Sequence, residues 1–276
     1  MVPSVASLGR LDKLSICSKG LYFVSLFAMQ LSIVIPAKNE ELLIPRLLAS
    51  IRAQRFTDYE IILADAHSTD ETARKAAQFG AHVVEGGLPG PGRNRGAAHA
   101  RGEYLLFLDA DVLLLDDLFL EDGLKEMKDR DLDIATCRVS ALHGTPTDRA
   151  FHEAYNIYTL AVQPLLAHAT GSCLWVKRSV HEQLGGFDEV VVFAEDHDYA
   201  RRAKKRDFKV GILRKHKIAI STRRYRKEGM MQIAAKFVFS ELYMLTLGSF
   251  KRLPFKYEFG EFEEQDKIAI KRRYDA

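Results

Sequence analysis

Two carboxylates one residue apart carry the strongest chemical signal in this chain. Asp109 and Asp111 flank Ala110 directly after an almost wholly apolar run, residues 103–108. If that run stays extended, both side chains leave on the same side. Side-by-side carboxylates repel unless positive charge lies between them. Such oxygen ligands suit a hard divalent cation, Mg2+ or Mn2+, which completes its shell with phosphate and water. A second acidic cluster is Glu195, Asp196 and Asp198. It stands where a helix is expected to begin, so it either complements the helix dipole or presents one acid as a general base. Two further polar groups follow apolar runs: Pro36-Ala-Lys-Asn-Glu40, and Asp65 with Ser68-Thr-Asp70.

The elements around these groups alternate. Residues 31–35 read as a strand stopped by Pro36, and Leu43, Leu47, Leu48 and Ile51 mark one face of a helix over 41–53. Residues 59–64 form a second strand, Ser68-Thr-Asp-Glu71 reads as a capping box opening a helix to Phe79, and 81–84 is a short strand. Residues 86–92 hold four glycines and two prolines and are predicted to be a loop, with a short helix over 94–100. The spacing predicts later helices at 116–128, 149–167 and 196–205, and strands at 134–139, 173–176, 209–213 and 218–221. This pattern predicts an α/β fold with a mostly parallel, doubly wound sheet, whose ligand site lies at the carboxyl ends of its strands. Three successive strands deliver acids to that edge. The glycine-rich segment matches neither a P-loop nor a dinucleotide fingerprint, but it offers Arg93 and Asn94 near the same edge.

The net charge of +3 over 276 residues conceals an asymmetry. From residue 199 onward there are 21 bases and 9 acids, so the first 198 residues are net −9 and the remainder net +12. Acids able to hold a metal thus face bases able to hold phosphates. Cys17, Cys137 and Cys173 are odd in number and far apart, which excludes a disulfide scaffold or zinc ribbon and fits a reducing, cytoplasmic compartment. Residues 20–37 lack charge and follow Arg10, Lys13 and Lys19, resembling a signal or anchor. Without a small-residue cleavage site, and with Met29 just before the first strand, residues 1–28 are expected to lie outside the fold.

The ordered set of motifs resembles family 2 glycosyltransferases with the GT-A fold, over roughly residues 31–225. The resemblance rests on Ser32-Ile-Val-Ile-Pro-Ala-Lys-Asn-Glu40, Asp65 with Ser68-Thr-Asp70, Arg93-Asn-Arg-Gly96, Asp109-Ala-Asp111, Gly185-Gly-Phe187 and Glu195-Asp196. It implies a metal-dependent, inverting, non-processive transferase acting on a nucleotide-diphospho-sugar, with a glycan or lipid-linked acceptor. By this resemblance Pro36, Ala37, Asn39 and Glu40 line the nucleotide pocket, Asp65 holds the base, and Arg93 lies near the donor. Asp109 and Asp111 bind the sugar-diphosphate and the Mg2+ or Mn2+. Asp196 is the catalytic base, with Gly171, Ser172 and Glu195 on the acceptor side. Ala66 and His67 depart from the Asp and Gly common in the family, which leaves donor identity open. The Q-x-x-R-W signature of polymerising members is absent, and Ser221-Thr-Arg-Arg-Tyr225 stands in its place. Arg223 and Arg224 there suit a diphosphate, and His216 is the nearest histidine for the metal.

One domain is expected over 29–225, followed by a helix and charged tail over 226–276. In that helix Glu228, Gln232, Lys236 and Ser240 form a narrow polar stripe beside a broad apolar surface. It packs on the core, forms a homodimer, or lies on the inner face of a membrane with nearby Lys and Arg at the headgroups. Two other functions compete. A sugar nucleotidyltransferase needs a glycine-rich basic loop after the first strand, which residues 36–40 are not. RNA binding by the basic segment 201–227 lacks interleaved aromatics, so no nucleic-acid partner is expected.

Overall fold

The computed structural model describes residues 29–142 and 144–252, without the side chains of 224–226. The expectations for residues 1–28, the tail beyond 252 and the Arg224 side chain fall outside what is described. In chain order the elements are β1 (Met29–Ala37), α1 (Ile44–Arg52), β2 (Tyr59–Asp65), α2 (Thr72–Gln78), β3 (His82–Glu85), α3 (Pro89–Ala98), β4 (Gly102–Leu108) and β5 (Val112–Leu114). They continue with α4 (Phe119–Asp129), β6 (Ile134–Leu142), α5 (Pro146–Val162), β7 (Cys173–Lys177), α6 (Arg178–Leu184), α7 (Glu195–Lys204), β8 (Val210–Ser221), α8 (Arg223–Glu228) and α9 (Met230–Thr246).

One sheet of order β3-β2-β1-β4-β7-β6-β8-β5 runs through the molecule. Its first four strands are all parallel, and β7 joins β4 and β6 antiparallel. The expected α/β class therefore holds, with a mixed second half. Both faces are covered. Leu31, Ile33 and Ile35 of β1 point into a cluster with α1 and α4, while Val34 points into a second cluster with Phe107, Phe187 and Tyr199. This is the period of two expected of a strand buried on both sides.

Several boundaries differ from the sequence reading. Pro36 does not end β1: pairing with β4 stops at Val34, but pairing with β2 continues to Ala37 opposite Asp65. A residue lacking an N–H is tolerated where one neighbour has dropped out. The glycine-rich segment is helical from Pro89, whose fixed φ suits the first turn. Its glycines let α3 lie directly on the sheet, since a Cβ on Gly96 would sit 2.3 Å from Val34 Cγ1. The capping box does not form. Glu71 is the N-cap of α2 without a side-chain bond, and Ser68 Oγ instead accepts the Asn39 N–H at 2.9 Å. The two strands expected over 209–221 are one, β8. Its partner register jumps from Leu213 opposite Cys137 to Lys217 opposite Arg138, so Arg214, Lys215 and His216 bulge out. β5 and α6, three and seven residues long, gave too little periodicity to be read.

The polar stripe expected on α9 is divided, with Gln232 exposed and Ser240 turned inward. Ser240 is buried together with Ile233 and Met244, while Met231, Val238, Phe239, Leu242 and Leu245 are exposed. Glu241 bonds Arg201, and Ser249 Oγ donates to Asp198, so two polar contacts from 241–249 reach α7.

Candidate functional site

The loops after β1 and β2 are knitted together by their own polar side chains. Asn39 takes a left-handed φ of +54°, which Asn tolerates better than most residues. Its Oδ1 accepts the Thr69 N–H at 2.8 Å, and the Glu40 N–H donates to Thr72 Oγ1 at 2.7 Å. Ala37 is buried beneath this turn, and Pro36 lies against Gly92 of α3. Asp65 ends β2, where its Oδ2 accepts the Ser68 N–H at 3.0 Å. Among the described residues its Oδ1 is buried without a hydrogen-bond partner, as is Oε2 of Glu40. Glu40 Oε1 accepts from Arg223 at 3.2 Å. Burial pushes the Glu40 carboxyl up to about 7; Arg223 opposes this, and Asp111 and Asp109 add to it. Glu40, Asp109, Asp111 and Arg223 therefore share one electrostatic field, although they come from three distant parts of the chain.

Asp109 and Asp111 are not on an extended stretch. The chain turns between β4 and β5, with the Val112 N–H donating to Asp109 O at 3.3 Å. The two carboxylates are directed by this turn rather than by strand alternation. Asp109 Oδ1 accepts from Arg93 at 2.8 Å, and the Asp109 N–H donates to Ser172 O at 3.3 Å. Leu108 pairs with Cys173, which sets the acid turn beside residues 171 and 172.

Arg93, supplied by α3, joins the two acidic clusters. Only 2% exposed, it donates to Asp109, to Glu195 Oε1 at 2.5 Å and to the Gly171 carbonyl at 3.3 Å. Its guanidinium also lies 5.4 Å from the centre of the Phe187 ring. Burial works against its charge, but Asp109, Glu195 and Asp196 outweigh that and hold it firmly protonated.

Asp196 opens α7 behind Ala194, which is held at φ +54°. A left-handed alanine is strained by about 1–2 kcal/mol, and it aims the first turn of the helix at the site. Asp196 Oδ2 accepts the Gly171 N–H at 2.6 Å, and Oδ1 accepts the His197 N–H at 2.8 Å. Position 171 has no room for a side chain: a Cβ there would sit 2.9 Å from Asp196 Oδ2 and 3.1 Å from Arg93. Burial raises the Glu195 and Asp196 carboxyls above their usual range, with Arg93 pulling the other way.

The structure therefore brings together Glu40, Asp109, Asp111 and Arg223 as one group, and Arg93, Asp109, Gly171, Glu195 and Asp196 as another, linked through Asp109. Asp198 is not part of it, being paired with Arg202 one helical turn away. His216 is likewise elsewhere, held by Asp122 Oδ2 at 2.7 Å. Asn94, which the sequence offered near this edge, makes a clamp that its spacing did not reveal. Its Nδ2 donates to Phe187 O at 2.9 Å and its Oδ1 accepts the Phe187 N–H at 2.8 Å, fixing the Gly185-Gly-Phe187 turn under Arg93. The adjacency of Asn94 to Arg93 was the available signal.

The chain is similar to known proteins in sequence and in fold. A family model described as Glycosyl transferase family 2 matches residues 32–185. A poly(ribitol-phosphate) beta-glucosyltransferase of Bacillus spizizenii is 28% identical over 196 residues, covering 67% of this chain and 31% of that protein. A 4,4'-diaponeurosporenoate glycosyltransferase of Staphylococcus aureus is 40% identical over 93 residues, 31% of this chain and 24% of that protein. The chain thus spans about a third or less of the length of these relatives. Among solved structures, the mannosyltransferase PcManGT from Pyrobaculum calidifontis, in complex with GDP-Man and Mn2+, superposes with a TM-score of 0.60 at 21% identity, over 79% of this chain and 70% of that one. The fold is the GT-A fold, and the family match extends over more than half of the sequence and through the strand ends that gather the acids. On that footing the chain belongs to glycosyltransferase family 2.

Proposed function

We propose that this protein transfers a sugar from a nucleotide-diphospho-sugar to an acceptor hydroxyl, inverting the anomeric centre in a single displacement. The observation that carries this reading is the pair of buried carboxylate oxygens, Asp65 Oδ1 and Glu40 Oε2, left without partners among the described residues at the strand ends. Burying such atoms unpaired is costly, and the N–H and O–H groups of a nucleoside would satisfy them. Pro36, Ala37 and Asn39 form the wall of that pocket. Arg223, which reaches Glu40, is proposed to meet the diphosphate. Asp109 and Asp111 fit a divalent cation, because together with Glu40 they gather carboxylate oxygens, the donors a hard ion takes, in one field. When bound, Mg2+ or Mn2+ supplies positive charge to the departing diphosphate.

The chain's own residues perform the rest. Asp196 takes the proton of the acceptor hydroxyl as its oxygen attacks the anomeric carbon, and the bond from that carbon to the diphosphate breaks. Arg93, Glu195 and the backbone of Gly171 and Ser172 fix Asp196 and the acceptor side. Thermal denaturation with UDP-, GDP- and dTDP-sugars tests the reading. One donor with Mn2+ is expected to raise Tm by about 5–10 °C at a hundredfold excess over Kd, and Asp111→Asn is expected to remove the Mn2+-dependent part. No shift with any of the three nucleotide classes would sink the proposal.

The acceptor is proposed to be lipid-linked, met at the inner face of a membrane. Beside the exposed apolar residues of α9, Ile157 and Leu160 of α5 and Leu165 after it are also exposed, with Lys227, Lys251 and Arg252 at the surface nearby in sequence. Among the described residues no helix is long and apolar enough to cross a membrane. The contact proposed is therefore peripheral. Full-length protein is expected to float with liposomes containing anionic lipid, and Phe239→Glu with Leu242→Glu to reduce the floated fraction several-fold. Equal flotation of that variant would exclude this face, and a stable dimer that fails to float would assign it to self-association.

A further inference from the structure

We propose a second metal site, made by His168, His197 and Glu241, that takes a borderline ion such as Zn2+. The three residues come from three segments: the loop before β7, the first turn of α7 beside Asp196, and the middle of α9. One ligating atom from each lies within 4.8 Å of the others. His168 Nε2 and Glu241 Oε1 are 3.4 Å apart. An ion about 2.1 Å from each of four tetrahedral ligands sets neighbouring ligand atoms about 3.4 Å apart, so this pair already has the required separation. The two imidazoles touch edge to face with centroids 4.0 Å apart, which brings His197 to the same cluster.

An independent observation points to a ligand here. Among the described residues, Nδ1 of His197 is buried with no hydrogen-bond partner. An unpaired ring nitrogen is costly to bury, and an ion beside it would satisfy it, while His168 offers the Nε2 that faces Glu241. Arg201 donates to Glu241 Oε2 at 2.7 Å, which fixes the carboxylate and leaves Oε1 facing the histidines. That cation also weakens the site, so the affinity expected is moderate rather than that of a structural zinc finger. Tyr155 and Tyr158 close over His168, their ring centroids 5.8 and 5.7 Å from it.

Imidazole nitrogen with a single carboxylate selects Zn2+ over Mg2+ or Mn2+, opposite to the all-oxygen Asp109 and Asp111 pair. An ion at this place would staple α9 to the helix carrying Asp196 and to the loop leading into Gly171. The proposal goes beyond the transferase reading and stands or falls apart from it.

The test uses full-length Asp109→Asn/Asp111→Asn protein, so that the other site does not contribute, stripped with chelator and titrated with Zn2+ alone. One equivalent is expected to bind and to raise Tm by about 5 °C, with Mn2+ giving no shift. His168→Ala and His197→Ala are each expected to abolish the shift. Co2+ in the same parent protein is expected to give the visible absorption of a tetrahedral site, a readout that does not depend on the histidine variants folding. Absence of both Zn2+ binding and the Co2+ bands, or Zn2+ binding that survives in both histidine variants, would overturn the proposal.

Discussion

Asp196→Asn is expected to lower kcat at least ~10²-fold, the usual contribution of a positioned general base, while donor binding stays within a few-fold. The variant keeps the shape of the side chain but has no carboxylate to take the acceptor proton. It also keeps only one of the two backbone bonds, because its amide nitrogen cannot accept from either Gly171 or His197. Burial holds the Asp196 carboxyl above its ordinary value, so the acidic limb of the wild-type rate profile is expected to lie above the usual aspartate range. The sign follows from the role: the base works when ionised, so activity falls as pH drops through its pKa, and the limb vanishes in the Asn variant. Steady-state kinetics across pH, with donor affinity read from Tm shifts, check both parts. An Asn variant with wild-type kcat removes Asp196 from the reaction.

Arg93→Met is expected to be the most damaging single change to stability, by about 3–5 kcal/mol, as when a buried ion pair loses one partner. For a domain of this size that lowers Tm by about 10 °C or more. The reason is the number of groups one guanidinium satisfies: Asp109, Glu195 and the Gly171 carbonyl. Methionine keeps much of the apolar stem and leaves two carboxylates facing each other. Burial already raises the Glu195 carboxyl and Arg93 opposes that, so without Arg93 it rises further, the native state binds more protons than the unfolded state, and stability falls as pH increases through that range. The deficit is therefore expected to be larger at pH 8 than at pH 5. Arg93→Lys restores charge but not a fork that reaches several acceptors, and is expected to recover part of the stability and little activity. Urea denaturation at the two pH values measures the difference, and a Met variant as stable as wild type at pH 8 refutes the linking role.

Much of the frame was legible because it depends on local patterns. The alternation of Leu31, Ile33 and Ile35 with Val34 reports a strand buried on both faces, and Leu43, Leu47, Leu48 and Ile51 report a helix on one of them. What local pattern misread was segments whose conformation is set by distant contacts. Residues 86–92 look like a loop because glycine and proline are weak helix formers. They are partly helical because small residues are what allow α3 to approach β1 and β2. Ser68 looks like a helix cap, yet its hydroxyl is claimed by Asn39 on the neighbouring strand loop. On α9 the spacing showed a polar stripe and a broad apolar surface but not which side meets the body: Ser240 is buried with Ile233 and Met244, while Met231, Val238, Phe239, Leu242 and Leu245 face out.

The sequence by itself determined which residue types stand at the ends of β1, β2 and β4, and hence that anion and cation chemistry meet at one edge of a sheet. A parallel α/β alternation leaves its loops there, and types and spacing are read without knowing any contact. The tertiary structure alone decided which acid is paired with what. Glu195 and Asp109 converge on Arg93, Asp198 is withdrawn onto Arg202, Glu40 meets Arg223 across 183 residues, and His168 meets His197 and Glu241. These pairings depend on burial and on through-space distances of a few ångströms, which are fixed only when the helices settle on the sheet.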